Sequence, residues 1–102
     1  MAVSDTFAVL GDPTRRQIVA FLADGEFPAG EIADQFNVSA PAISQHLRAL
    51  RLAGLVSVRP NRQQRLYSVN HQALGEAAIW LMRMGGFWNE RLAAMDEAVT
   101  KT

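Results

Sequence analysis

Side chains able to do chemistry concentrate in two groups in this sequence: Ser39, Ala40, Pro41, Ser44, Gln45 and Arg48 in one stretch, and Arg59, Arg62 and Arg65 a little further on. The first group is small and hydrogen-bonding. Carried on a helix, it permits close approach to base edges: glutamine can pair with adenine, arginine with guanine, and an alanine methyl can touch that of thymine. The second group is a cluster of fixed positive charge that suits phosphates or the negative potential of a minor groove. Both lie in a segment between Gln35 and Gly75 that holds five arginines and no acidic residue, although ten basic and ten acidic side chains balance over the 102 residues. A polyanion responds to the local field and not to that sum. A solvated basic face with no partner carries the same charges, and charge alone leaves it open.

Catalytic and metal chemistry find less support. Ser44 and His46 are two positions apart and do not face each other on a helix, so no nucleophile and base are paired, and no enzyme is expected. The two histidines, His46 and His71, stand alone, and there is no cysteine. A disulfide framework and a thiolate metal site are therefore ruled out, and neither a metal nor another cofactor is expected.

Helix and turn signals give the elements that must position the two groups. Phe7, Val9 and Leu10 suggest a short first helix broken at Gly11. Asp12 and Pro13 suit the cap and first position of a second helix, with Ile18, Phe21 and Leu22 on one face and Asp24-Gly25 closing it. A third helix reads from Pro28 to Phe36, with Ile32, Ala33 and Phe36 inward. After the break at Asn37-Val38-Ser39, Ser39 can cap a helix from Ala40 to about Leu52 that Gly54 ends. Ile43, Leu47 and Leu50 form its core side, which turns Pro41, Gln45 and Arg48 outward. Two helices joined by so tight a turn make a helix-turn-helix. Leu55 to Arg59 and Arg65 to Val69 alternate like strands around a turn over Pro60 to Gln64, so a β-hairpin with a basic tip follows.

The last helix starts near His71, capped by Asn70. From Leu74 one apolar stripe runs through Ala78, Leu81, Gly85, Trp88, Leu92, Met95 and Val99, and a second holds Trp80, Met84 and Phe87. Together they span an arc too wide for a helix packed on one side, which leaves a face for a twin subunit or for one bulky internal core. Phe7, Leu81, Met84, Phe87, Trp88, Leu92 and Met95 are the expected dimer contacts. Gly85-Gly86 weakens the helix by about 1 kcal/mol per glycine and allows a kink there. The length suits a single domain over residues 1–102. No apolar run approaches the roughly 20 residues needed to span a bilayer, and no secretion signal is evident, so a cytoplasmic protein is expected.

In their order, Phe7 to Ile18, Gly30-Glu31-Ile32-Ala33, Val38 to Leu50 and Ala53-Gly54-Leu55-Val56 resemble the ArsR/SmtB family of bacterial winged-helix repressors over roughly residues 5–95. The resemblance implies a mainly helical winged helix-turn-helix domain with the unit at about 28–52, the wing at about 55–69 and a long C-terminal dimerisation helix at about 71–98. It further implies a homodimer on two-fold symmetric double-stranded operator DNA, with Ser39 to Arg48 in the major groove, the Arg59 to Arg65 hairpin as wing, and repression of transcription. The family's metal sensors place thiolates in the helix that here reads Pro28 to Phe36, or paired Asp and His on the last helix. This chain has no cysteine and offers there Glu76, Glu90, Asp96 and Glu97, with no histidine beyond the first turn, so it is similar to the cysteine-free, autoregulatory branch, with its inducing ligand unassigned. Two other readings remain: a winged-helix module whose arginines meet an acidic protein, and a metal-responsive sensor with non-thiol ligands.

Overall fold

The buried face of one helix organises the fold of this computed structural model, which describes the backbone of residues 3–100 and the side chains of residues 5–86. The elements run α1 (Val3–Val9), α2 (Pro13–Phe21), a 3-10 turn (Leu22–Asp24), β1 (Phe27–Pro28), α3 (Ala29–Gln35), α4 (Ala40–Leu52), β2 (Val56–Asn61), β3 (Gln64–Val69) and α5 (His71–Thr100). In α4, Ile43, Leu47 and Leu50 recur at helical spacing and are at most 1% exposed. They meet Ile18 and Leu22 from the α2 region, Ile32 of α3, and Leu55, Val56 and Val69 around the hairpin. Burying side chains of this size stabilises the fold by about 1.5–3 kcal/mol each. That burial fixes α4 about its own axis.

The helix ends are set by local chemistry. The Asp12 carboxylate accepts the Arg15 backbone N–H at 3.1 Å, and Pro13 takes the first position of α2, where no N–H is needed. Ser39 Oγ accepts the Ala42 N–H at 3.2 Å and starts α4. At the other end Gly54 adopts φ 78°, a left-handed conformation that glycine enters without steric cost. The N–H groups of Gly54 and Leu55 then donate to the carbonyls of Arg51 and Leu50 at 2.9 and 3.0 Å. This is a Schellman stop, with Leu50 and Leu55 buried across it. Asn70 joins the next boundary to it, since its side-chain amide donates to the Gly54 carbonyl at 2.9 Å and its oxygen accepts the Ala73 N–H at 3.2 Å.

Three features depart from the sequence-based expectation. The second helix stops at Phe21 and tightens into the 3-10 turn before Gly25. The hairpin turn is only Arg62-Gln63, because Pro60 and Asn61 remain on β2 and Gln64 on β3. Proline is tolerated there because β2 is an edge in the order β1-β3-β2, where a missing N–H breaks no ladder on the open side. The third strand has no signature in the sequence: Phe27 and Pro28 pair with Tyr67 and Leu66 of β3, too short a run for any alternation to show. Phe27 also stacks on Phe21 with ring centroids 4.6 Å apart, so the pairing is held by aromatic packing. α5 continues as one helix through Gly85-Gly86 without interruption.

Leu50 and Leu52 share a helix turn and differ in surroundings, the first 0% and the second 67% exposed. Leu50→Ala is expected to lower unfolding free energy by about 2–5 kcal/mol. Leu52→Ala should change it by no more than about 0.5 kcal/mol, with urea titration reading both.

Candidate nucleic-acid interface

Because its inner side is pinned, α4 presents a determinate outer face. Ser39, Ala40, Pro41, Ser44, Gln45 and Arg48 are all exposed, and no acidic side chain lies on the helix. α3 and the four-residue break Phe36 to Ser39 precede it, with Phe36 set edge-on to Phe21 at 6.1 Å. That contact ties the turn between the two helices to the core.

The strand register sorts the wing arginines. Residues directly opposed across a ladder share a face. Pro60 opposes Arg65 and lies two steps on from Val58, and thus on the face that Val56 and Val69 bury into the core. Arg59 opposes Leu66 on the other face. There its Nε and Nη2 donate to the Glu26 carboxylate at 2.5 and 2.9 Å, bridging from the β2 edge to the residue before β1. Hydrogen bonding from Arg59 holds the Glu26 carboxyl below its ordinary value, and the same bond raises Arg59. Arg62 heads the turn with φ 60°, a conformation that costs an L-residue strain but projects the guanidinium at the tip.

Three contributors stand apart from the residues that the sequence pattern marks: Arg51, Leu52 and Glu26. Arg51, in the last turn of α4, lies three residues from Arg48 and seven from Ser44, so these side chains form one flank of the helix at i, i+4 and i+7. That signal was legible in the spacing. Leu52 stands uncovered on the outer face. Glu26 is 33 residues from Arg59, and no local pattern joins them. His46 is half-buried, and its Nδ1 accepts a hydrogen bond from Arg15 Nε at 3.2 Å, linking α4 to α2.

The candidate dimer contacts fall into two sets. Phe7 is half-buried with its ring 5.2 Å from Trp80, which joins α1 to α5. Leu81 is 52% exposed and Met84 half-buried, whereas the side chains of Phe87, Trp88, Leu92 and Met95 lie outside the described residues. Ala77 faces the domain, but Ile79, Trp80, Leu81 and Met82 are 52, 44, 52 and 74% exposed. Four successive residues pass around most of a helix turn, so an apolar girdle stands open. Glu90, Asp96 and Glu97 likewise lie outside the described side chains, and Glu76 is exposed.

A capped helix-turn-helix followed by a short antiparallel sheet with an arginine-bearing hairpin defines the winged helix-turn-helix class. The model of the bacterial regulatory protein, arsR family, matches residues 12–58. The chain is 38% identical over 80 residues to the transcriptional repressor SdpR of Bacillus subtilis, covering 78% of this chain and 89% of that one. An ArsR-like transcriptional regulator from Rhodococcus superposes with a TM-score of 0.76 and 34% identity, over 93% of this chain and 90% of that one. A homodimeric winged helix-turn-helix DNA-binding domain from Mycobacterium bovis gives a TM-score of 0.69 at 25% identity, over 81 and 78% of the two chains. The chain belongs to the arsR family of bacterial transcriptional regulators.

Two carboxylates couple this framework to pH. The Arg15 backbone N–H bond holds Asp12 below its ordinary value, as Arg59 does Glu26. A carboxyl depressed in the folded state contributes stability above its unfolded value, and that contribution disappears as pH falls through the folded value. Thermal unfolding midpoints should therefore decline on acidification through the carboxylate range. Asp12→Asn, which keeps a capping oxygen, and Glu26→Gln should each flatten that decline; curves parallel to the wild type would remove these groups from the account.

Proposed function

We propose that this chain works as a homodimeric, sequence-specific DNA-binding repressor of transcription in the cytoplasm, built as one winged-helix domain. The observation that carries the proposal is the exposed, acid-free face of α4, held in fixed rotation beside the hairpin. The helix-turn-helix over about 28–52 places Ser39, Ala40, Pro41, Ser44, Gln45 and Arg48 at base edges and adjacent phosphates of a major groove. The wing over about 55–69 brings Arg62 and Arg65 to the sugar-phosphate backbone, with the charge of Arg59 offset by Glu26. Sequence is read by the helix and affinity is raised by the wing.

Two copies join through α5, over about 71–98, with Phe7, Leu81, Met84, Phe87, Trp88, Leu92 and Met95 as the contacts. The open apolar girdle at Ile79–Met82 supports this, because one protomer leaves it in water. Among the described residues no helix is long and apolar enough to cross a membrane. Homodimers of this kind place two recognition helices on a symmetric operator, one in each half-site. Repression then follows from occupancy, since a protein seated on promoter DNA excludes polymerase.

Anisotropy titrations with a duplex from the region upstream of the chain's own gene, against a scrambled duplex, test this reading. Gln45→Ala should cost about 1–3 kcal/mol on the preferred duplex and relax the preference at one base position. Arg62→Gln should weaken every duplex alike and reduce the slope of log affinity against log salt by about 1. Equal affinity of the wild type for both duplexes, or an unchanged slope in the Arg62 variant, would count against it.

A further inference from the structure

In duplex DNA a sugar-phosphate strand separates each major groove from the minor groove beside it. A protein that lays a helix in one and a hairpin in the other must straddle that strand. The space between helix and hairpin is therefore where backbone must pass, and its lining decides what is held there. Here the space is a cleft of about 210 Å³ lined by Arg51, Val58, Arg59, Pro60 and Arg65. It is smaller than the roughly 300–1,000 Å³ of pockets that enclose drug-sized ligands, and suits one compact anionic group.

The cations at this cleft come from two separate elements. Arg51 reaches it from the last turn of α4, at the end of the flank that begins with Ser44 and Arg48. Arg65 reaches it from β3, on the face shared with Pro60 and Val58. Val58 and Pro60 supply an apolar wall against which a sugar can rest. The third arginine is differently placed: Arg59 turns its guanidinium to Glu26 on the opposite face of the sheet. Among the described residues Arg59 is the one arginine with a carboxylate in ion-pair reach, which leaves Arg51 and Arg65 uncompensated.

We propose that this cleft seats one backbone phosphodiester of the strand dividing the two grooves, clamped by Arg51 from the recognition helix and Arg65 from the wing. Arg59 stands outside the clamp because Glu26 already occupies it. The site rests on the DNA-binding reading above and deepens it. Holding a single phosphate from both elements sets the register of helix and wing on the duplex together. A planar guanidinium donates two parallel hydrogen bonds to phosphate oxygens, so a pair of them fixes the group in position as well as charge.

The test uses operator duplexes in which single phosphates are replaced by neutral methylphosphonates, titrated by anisotropy with folded wild-type and variant protein. In the wild type, one replacement between the half-site major groove and the flanking minor groove should weaken binding by about tenfold or more. In Arg51→Gln and in Arg65→Gln the same replacement should cost little further, and the double variant should lose less than the product of the two single losses. Arg59→Gln should retain the full wild-type penalty at that phosphate. A penalty that survives undiminished in the Arg51 or Arg65 variant, or vanishes in the Arg59 variant, overturns the clamp while the DNA reading stands. If wild-type protein shows no preference for any duplex, the DNA reading itself falls and the clamp with it.

Discussion

The rotational setting of α4 is the constraint on which the remainder of this molecule depends. Ile43, Leu47 and Leu50 are sealed against the core, and turning the helix by one residue, about 100°, would expose them and bring Ser44, Arg48 and Arg51 inward. Such a turn would cost several kcal/mol in lost burial before any desolvation of charge. The outer face proposed to read bases is thus determined by what lies behind it. The Ser39 cap and the Schellman stop at Gly54 then fix where that face begins and ends along the axis.

Charge is organised by the same framework. The acid-free segment from Gln35 to Gly75 becomes a helix flank and a wing, but the fold returns one carboxylate to it from outside, Glu26. Placing that carboxylate on the outer sheet face neutralises Arg59 without touching the cleft between helix and wing. The short strand β1 is what brings Glu26 there. A two-residue pairing held by Phe27 and Phe21 therefore sets how many of the wing's cations are left without a carboxylate partner.

Much of this was legible in the residues because the signals are local. Asp12-Pro13, Ser39 and Gly54 mark helix ends by their own hydrogen bonds and dihedral preferences, and the spacing of Ile43, Leu47 and Leu50 states which side is buried. The resemblance of the ordered motifs to ArsR/SmtB repressors pointed to the winged helix, and the family match and superpositions agree with it. What the sequence does not mark is mostly non-local: β1 exists only through pairing with β3, and the Glu26–Arg59 bridge joins positions that no sequence pattern connects. The sequence pattern implies too long a hairpin turn, because Pro60 reads as a breaker unless its strand is an edge. Arg51 is marked by helical spacing from Ser44 and Arg48, although it stands beyond the short polar face.

α5 is the element on which the proposed two-fold symmetry rests. Its first turns pack Ala73, Leu74 and Ala77 toward the domain, and the next turn opens its apolar residues to water. In the proposed dimer, a twin subunit against that girdle would space two α4 helices for one duplex. Hydroxyl-radical footprinting of purified protein on the promoter of its own gene addresses the central claim most directly. The account predicts two protected patches related by a two-fold axis and separated by about one helical turn, or a whole number of turns. Uniform cleavage along the fragment, or a single patch without symmetry, would contradict it.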